Sequence, residues 1–333
     1  MFSSRHRQSL IRFSALLGLA ALIATRPACN DAEQSRVDVR LRRGLTEQIV
    51  SGQDWCDYSG NPVIQPGPPG AWDSWAVMSM TVVKVADTLH LYYEGGRTGC
   101  DDLQIGHATS IDALNWKKDP ANPVLRPGCA GQWDDQAVWD SFVIYQDGIF
   151  KMWYGGQPGD RRDYECGYAE SRDGRHFVKK GRISDFEQGE MADMHVVHDQ
   201  LSNRYFMFYW DRRFDLGKSL RLAVSPNETD FDFQNSSMLR IAGEKSGHRY
   251  THVVRSKQVW YMFYGFDGGP GRSGCAVSTD LIHWSAVDTS MRETEDAEIL
   301  SLNDNLHLMF CCPAGMQDEE GCDIRLALKE GRL

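Results

Sequence analysis

The feature that most constrains the fold of this chain is an internal repeat that occurs five times. In each copy an apolar run leads, roughly eleven residues later, to an aromatic residue at the end of a predicted strand. The runs begin at Val82, Val143, Val196, Val253 and Ile299, and the aromatic residues are Tyr93, Tyr154, Tyr209, Tyr264 and Phe310. The copies recur about every 54 residues, and a period of this length built from short strands is typical of a β-propeller.

One repeat unit alone is a small antiparallel sheet that cannot bury both of its faces. Neighbouring units must therefore stack, and the last unit must close on the first. We predict an all-β fold, a five-bladed β-propeller with four-stranded antiparallel blades, over residues 60–333. Residues 29–59 lack the repeat, and we interpret them as a linker or an N-terminal arm outside the ring.

The first 28 residues have the pattern of a secretory signal peptide, with arginines followed by a short apolar stretch over residues 14–24. That stretch is too short to cross a bilayer. Arg26 and Pro27 stand where a lipoprotein signal has small or aliphatic residues, so we expect no lipid anchor at Cys29. The pattern predicts a secreted or periplasmic protein without a membrane span.

Cysteine usage agrees with export. Of the 9 cysteines, Cys29 directly follows the predicted signal and is set aside; the remaining even number predicts disulfides whose pairing stays open. Cys311 and Cys312 are expected to have different partners, because neighbouring strand residues point to opposite faces. Asn227 and Asn235 are N-glycosylation sequons that matter only in a host that glycosylates its exports.

The formal net charge of −10 disfavours nucleic acid or an anionic membrane as a partner. No Walker loop or Rossmann fingerprint is present, so no nucleotide cofactor is predicted. We expect a monomer.

Short motifs recur in the first two repeats. Asn-Pro-Val at 61–63 returns at 122–124, and Trp72-Asp73 returns as Trp133-Asp134. A Ser-x-Asp turn followed by an aromatic residue occurs in STDLIHW at 278–284. With the strand ends MWYGG and MFYGF, these motifs resemble the five-bladed propeller glycoside hydrolases: family 43, the invertases and levansucrases, and the mannoside phosphorylases of family 130. The resemblance covers the whole predicted ring.

The resemblance implies cleavage of a glycosidic bond by carboxylates that begin the innermost strand of each blade and point into an axial funnel. Family 43 would place its acids where this chain has Ser79, Phe142 and Ala192, so that family's catalytic residues are not carried over. Relatives in family 43 bind an axial cation, and by this analogy a structural divalent ion such as calcium is a further expectation, with no ligand residues assigned.

Polar residues nevertheless concentrate at the same inner-strand positions. We predict that Asp140 and Asp193 are the principal carboxylates, with Glu190, or its neighbour Glu187, as an acid from the third-blade loop. The residues predicted to bind substrate are Asp73, Asp134, His195, Arg249, His252, Asp296 and Glu298.

Three alternatives remain open. Acidic residues at the start of a propeller strand can simply bind backbone amides, and for Asp73 and Asp134, repeated beside a tryptophan, this structural role is the favoured interpretation. The propeller could also bind carbohydrate without cleaving it. Finally, it could be a secreted interaction or scaffold protein.

Overall fold

The structure is a computed structural model that describes residues 29–45, 55–159, 164–184, 191–212, 219–244, 248–266, 273–287, 295–313, 320–331 and 333. Five β-sheets are arranged as a propeller, which confirms the predicted fold class. Four sheets have four strands each, and the fourth blade carries one additional outer strand.

The strands follow one another from the inner to the outer edge of each blade. Blade 1 contains β2 (Ala76–Val85), β3 (Thr88–Gly96), β4 (Gln104–Ser110) and β5 (Lys117–Lys118). Blade 2 contains β6 (Ala137–Gln146), β7 (Ile149–Gln157), β8 (Glu165–Ser171) and β9 (Val178–Arg182). Blade 3 contains β10 (Met191–Asp199), β11 (Arg204–Asp211), β12 (Ser219–Ser225) and β13 (Ser237–Met238).

The last two blades depart from this simple order. Blade 4 contains β15 (His248–Ser256), β16 (Val259–Phe266), β17 (Ser273–Ser278) and β18 (Trp284–Val287), and the additional strand β14 (Ile241–Ala242) pairs with β18 in parallel. Blade 5 contains β19 (Glu295–Asn303), β20 (Leu306–Cys312) and β21 (Arg325–Glu330). Its outer strand is β1 (Cys56–Asp57), which comes from the beginning of the chain.

The ring is therefore closed by a strand from each end of the chain. Cys56 and Asp57 pair with Leu328 and Ala327, so the propeller begins a few residues before the predicted boundary at residue 60. The motif Asn-Pro-Val strengthens this closure, since the Asn61 side chain both accepts from the Leu326 N–H at 2.7 Å and donates to the Leu326 carbonyl at 2.8 Å. Asn122 forms the same two bonds with His107 one blade later.

The Ser-x-Asp segments are tight turns, as their sequence predicts. In the turn at 278–284 the Asp280 carboxylate accepts hydrogen bonds from the N–H groups of Ile282 and His283 at 2.9 and 2.8 Å. The Trp284 indole N–H then donates to the carbonyl of Leu281 at 3.0 Å. Short polar side chains thus satisfy the turn backbone, and the aromatic residue starts the outer strand.

The core lies between the blades. The five repeated aromatic residues lie two or three residues before the end of the second strand of each blade, and all are almost fully buried. Their rings fill the wedge between adjacent sheets, which is how propeller blades pack face to face. The repeated aromatic residues therefore serve the fold.

A helix, α1 (Cys29–Gly44), precedes the ring. Val37 and Leu41 are fully buried in the core cluster shared by blades 1 and 5. Arg42 donates to Glu330 at 2.7 Å, so the helix contacts the last strand as well. No helix among the described residues is long and apolar enough to cross a bilayer.

Candidate functional site

The innermost strand of every blade contains a β-bulge at the same place. The register shifts lie between Met78 and Thr81, Trp139 and Phe142, Ala192 and His195, Arg249 and His252, and Glu295 and Glu298. A residue inside four of these bulges has a positive φ: Ser79 at 39°, Asp140 at 48°, Asp193 at 52° and Asp296 at 47°. A left-handed backbone is unfavourable for residues other than glycine, and such conformations cluster at functional sites.

These bulges border a narrow channel on the propeller axis. Its cavity volume is about 70 Å³, and all five blades contribute to its wall. The polar residues that line it are Ser79, Thr81, Asp140, Ser141, Asp193, His195, Thr251, His252, Asp296 and Glu298. The structure thus brings together six of the residues predicted from sequence: Asp140, Asp193, His195, His252, Asp296 and Glu298.

A wider cleft opens beside the channel, next to blades 1 to 3. Its cavity volume is about 270 Å³, and Asp140 and Asp193 line it together with Ser79. The other residues of its wall include Glu94, Trp139, Tyr164, Trp210 and Arg212. Asp140 and Asp193 therefore border both cavities, a position that they share with Ser79 alone among the described lining residues.

Hydrogen bonds join the acidic residues of the cleft across three blades. The Asp140 N–H donates to Glu94 Oε1, and the Asp193 N–H donates to Asp140 Oδ2 at 2.6 Å. Each carboxylate thus holds the left-handed backbone of the next blade in place. One carboxylate oxygen of Asp140 accepts the hydrogen bond from the Asp193 N–H. Asp140 also lines both the axial channel and the cleft.

The opposite wall of the channel, from blades 3 to 5, is built from histidines and a glutamate. His252 Nδ1 lies 2.6 Å from Glu298 Oε2, and both side chains are buried. The rings of His195 and His252 meet edge to face with centroids 4.5 Å apart. Burial, followed by the proximity of His252, lowers the pKa of His195 well below its ordinary value. His195 is therefore neutral near pH 7.

The same wall fastens blade 5 to blade 1. Glu298 Oε1 accepts from the Val82 N–H at 3.2 Å, and the Ser79 hydroxyl donates to Asp296 Oδ2 at 2.8 Å. His195 Nε2 lies 3.2 Å from the backbone nitrogen and 3.0 Å from the carbonyl oxygen of Val253. These groups are engaged with one another and with backbone, which indicates that this wall supports the ring.

The structure places Asp73 and Asp134 away from both cavities. Each is almost fully buried, at 3% and 2% exposure. Lys118 donates to Asp73 at 2.5 Å, and Lys179 donates to Asp134 at 2.6 Å. A tyrosine hydroxyl, from Tyr93 in one blade and Tyr154 in the next, donates to the same carboxylate at 3.1 Å in both cases. This arrangement gives each carboxylate partners within its own blade and supports the structural role, while substrate binding by Asp73 and Asp134 stays a prediction.

Three further predicted residues lie wholly or partly outside what the structure describes. Glu190, and Glu187 beside it, lie outside the described residues. Arg249 belongs to β15 by its backbone, but its side chain is likewise outside what the structure describes.

Several polar and aromatic residues of the cleft were not foreseen from sequence, among them Glu94, Trp139, Tyr164, Trp210 and Arg212. The Arg212 guanidinium carbon lies 5.4 Å from the centroid of the Tyr164 ring and 5.1 Å from that of Trp210. Trp139 stands directly before Asp140 on the bulge, and Glu94 lies in the buried segment of β3, which continues to Gly96. An aromatic residue directly before the bulge acid is the signal that could have indicated this wall.

Among the residues that the structure describes, one group on the axis has ligand atoms close enough to hold a cation: those of His195, His252 and Glu298 lie within 4.8 Å of one another. Calcium takes six to eight oxygen ligands, whereas this set offers two imidazoles and one carboxylate. His195 and Glu298 already bind backbone of neighbouring blades. These residues do not fit the expected calcium ion.

Sequence comparison finds distant relatives of this chain. No protein-family profile matches the chain. An uncharacterised protein of Mycobacterium tuberculosis is 29% identical over 69% of this chain and 80% of its own length. A 1,2-β-oligomannan phosphorylase of Thermoanaerobacter sp. strain X514 is 28% identical, but over only 36% of this chain and 44% of its own length.

Solved structures resemble the whole ring. The β-1,2-mannobiose phosphorylase of Listeria innocua superposes with a TM-score of 0.64 and 14% identity, over 83% of this chain and 97% of that one. A thermostable family-43 glycoside hydrolase gives 0.58 and 13% identity, over 80% and 91%. The chain therefore shares the five-bladed fold of the glycoside hydrolases and phosphorylases that the sequence motifs resemble.

Proposed function

We propose that this protein cleaves a glycosidic bond in an oligosaccharide or polysaccharide, with Asp140 and Asp193 as the reacting carboxyl groups. The observation that carries the proposal is that both residues lie on strained bulges where the axial channel meets the wider cleft. Backbone strain that recurs at the bottom of a cleft is costly, and a function in binding or catalysis explains why it is kept.

The chemistry of glycosidic cleavage matches this placement. One carboxyl group must protonate the departing oxygen, while a second carboxylate attacks the sugar or activates the attacking molecule. Asp140 and Asp193 come from adjacent blades and are joined by the 2.6 Å bond between Asp140 Oδ2 and the Asp193 N–H. Glu94, buried and bonded to the Asp140 backbone, is a third carboxylate of the same cluster.

The cleft also has the walls that a sugar needs. The apolar faces of a sugar ring pack on aromatic side chains, while its hydroxyls require a few polar groups that fix orientation. Trp139, Tyr164 and Trp210 provide the aromatic surface, and Arg212 adds hydrogen-bond donors between two of those rings. We therefore expect the sugar to bind against the aromatic residues of the cleft and not against His195 and His252 across the channel.

The predicted export signal lies in residues 1–28, outside the described part of the chain. Secretion remains part of the proposal, with extracellular or periplasmic glycans as the substrates. The names of the similar phosphorylases make inorganic phosphate an acceptor to be tested beside water.

The test is a panel of oligosaccharides and aryl glycosides, assayed with and without inorganic phosphate. We expect the purified full chain to release sugar, or sugar phosphate when phosphate is the acceptor, and Asp140→Asn to abolish that release. Asp147→Asn is the matched control, because Asp147 is an exposed residue directly after the far end of the same strand.

Two results would overturn the proposal. One is glycan binding without turnover by the parent protein, which would identify a binding propeller. The other is an Asp140→Asn variant that cleaves its glycan as fast as the parent.

A further inference from the structure

Two cysteines meet where the fifth blade joins the first. Cys312 is the last residue of β20, and Cys322 lies shortly before β21 begins at Arg325. Both are fully buried and belong to the same core cluster, which contains residues of blades 1 and 5. Because Cys311 pairs with Arg325 in the antiparallel ladder, Cys312 and Cys322 lie on adjacent chain segments at the same end of the sheet.

Each cysteine is fixed by a different innermost strand. Cys312 stands in the ladder opposite Glu295 of β19. The Cys322 carbonyl accepts from the Val77 N–H of β2 at 3.0 Å. The side chains of Cys312 and Cys322 are within hydrogen-bonding reach, and this contact, together with burial, raises the pKa of Cys312 well above its ordinary value.

We propose that Cys312 and Cys322 form a disulfide bond that fastens the closing blade when the chain folds in an oxidising environment. The reaction is thiol–disulfide exchange with a small-molecule or protein disulfide. One cysteine thiolate attacks that disulfide and releases a thiol, and the second thiolate then displaces the other sulfur. In total two protein thiols lose two protons and two electrons, and one external disulfide becomes two thiols.

The neighbouring Cys311 provides an internal contrast. It belongs to a separate core cluster with Phe263 and Cys275, on the other face of the sheet. Adjacent strand residues point to opposite faces, so Cys311 cannot replace Cys312 in this pair. The bond must also form before the blade is fully packed, because a buried thiol with a raised pKa is a poor nucleophile.

This inference is independent of the proposed sugar chemistry. The full chain is reduced in denaturant, refolded in a buffer of reduced and oxidised glutathione, alkylated under denaturing conditions and digested with a protease specific for glutamate. Cleavage after Glu298, Glu319, Glu320 and Glu330 separates peptide 299–319 from peptide 321–330, each with one of the two cysteines. We expect these two peptides to remain linked until a reductant is added.

Variants identify the sulfur atom involved. Cys311→Ser should keep the linked peptides, whereas Cys312→Ser should lose them. Peptide 299–319 contains both Cys311 and Cys312, so if a variant does not fold, fragment-ion sequencing of the linked peptides from the parent protein locates the bonded sulfur. Recovery of peptides 299–319 and 321–330 as separate alkylated species from the refolded parent would overturn the proposal, and so would linkage that disappears in Cys311→Ser and persists in Cys312→Ser.

Discussion

Two sets of aspartates recur from blade to blade, and they have opposite surroundings. Asp73 and Asp134 are each held by a lysine and a tyrosine hydroxyl of their own repeat. Asp140 and Asp193 stand on left-handed bulges that open onto two cavities. An aspartate whose lysine partner is repeated with it in each blade stabilises the fold. An aspartate on the axis instead lies near the corresponding residues of other blades.

The largest expected effect separates the two sets directly. Asp193→Asn should lower kcat/KM by a factor on the order of 1,000 or more, because a carboxyl group that takes part in proton transfer or attack is lost. The free energy of unfolding should change by less than about 1 kcal/mol, since the amide keeps the size of the side chain. Steady-state kinetics and urea unfolding measure the two quantities.

Asp199→Asn, in the exposed turn at the far end of the same strand, is the control. If Asp193→Asn unfolds as readily as a core variant and its residual activity per folded molecule is normal, the funnel acids belong with Asp73 and Asp134.

The second prediction is the opposite of the first: a loss of stability with little change in activity. Asp134→Asn should lower the free energy of unfolding by about 1 to 3 kcal/mol, because the buried carboxylate that accepts hydrogen bonds from Lys179 and from the Tyr154 hydroxyl is lost. The kcat/KM of the folded fraction should stay within about threefold of the parent. Urea unfolding followed by tryptophan fluorescence tests the first statement.

The double variant Asp134→Asn, Lys179→Met should recover part of the lost stability, since it removes the partly exposed ammonium that the single variant leaves without its carboxylate. No recovery would indicate that Asp134 stabilises the blade through contacts other than the ion pair.

A smaller effect concerns the aromatic wall that distinguishes the cleft from the rest of the funnel. Trp139→Ala should raise KM by about 5- to 20-fold, the loss expected for one aromatic surface against a sugar. Because Asp140 follows Trp139 on the bulge, Trp139→Phe is the matched variant: it keeps an aromatic ring at this position and leaves the local backbone unchanged. If kcat falls and KM is unchanged in both Trp139→Ala and Trp139→Phe, Trp139 positions Asp140 and does not contact the sugar.

The smallest effect is a pH dependence of folding that is independent of the funnel. Burial, followed by the neighbouring His107, lowers the pKa of His90 from 6.5 to about 4. Between pH 6.5 and 4 the unfolded chain therefore binds more protons than the folded chain, and stability falls as the pH drops through that window.

His90→Gln should reduce the loss of unfolding free energy between pH 7.5 and pH 4.5 by about 1 kcal/mol, a figure kept low because the side chain is partly exposed. Urea titrations at the two pH values make the comparison. If the loss is equal in parent and variant, other histidines with lowered pKa, such as His195, account for the acid sensitivity.

The fold was predictable because the signal is repeated. The apolar runs and strand-end aromatics occur in five copies, so one weak strand pattern is confirmed by four others, and closure of the ring follows from the need to cover both faces of each sheet. The outer position of β1 was not visible, since two residues carry no periodicity and their partner, β21, lies at the opposite end of the chain.

The site was predictable only in part. Counting from the repeat led to Asp140 and Asp193, but the argument assumed a regular strand in which alternate residues share a face. The bulge changes that geometry and lets three consecutive residues of one strand, Asp193 to His195, border the channel. Glu94 was missed because it lies on the second strand of its blade and comes close to the axis only through its bond to the Asp140 backbone.

Blade 5 combines the first ring strand of the chain with the last three. Blades 1 to 4 can assemble in order as the polypeptide emerges, but the fifth cannot be completed until β21 is present. Removal of β1 or β21 should therefore leave the ring without its closing strand pair, and a circular permutant that joins residues 55 and 333 should place all four strands of that sheet on one continuous stretch.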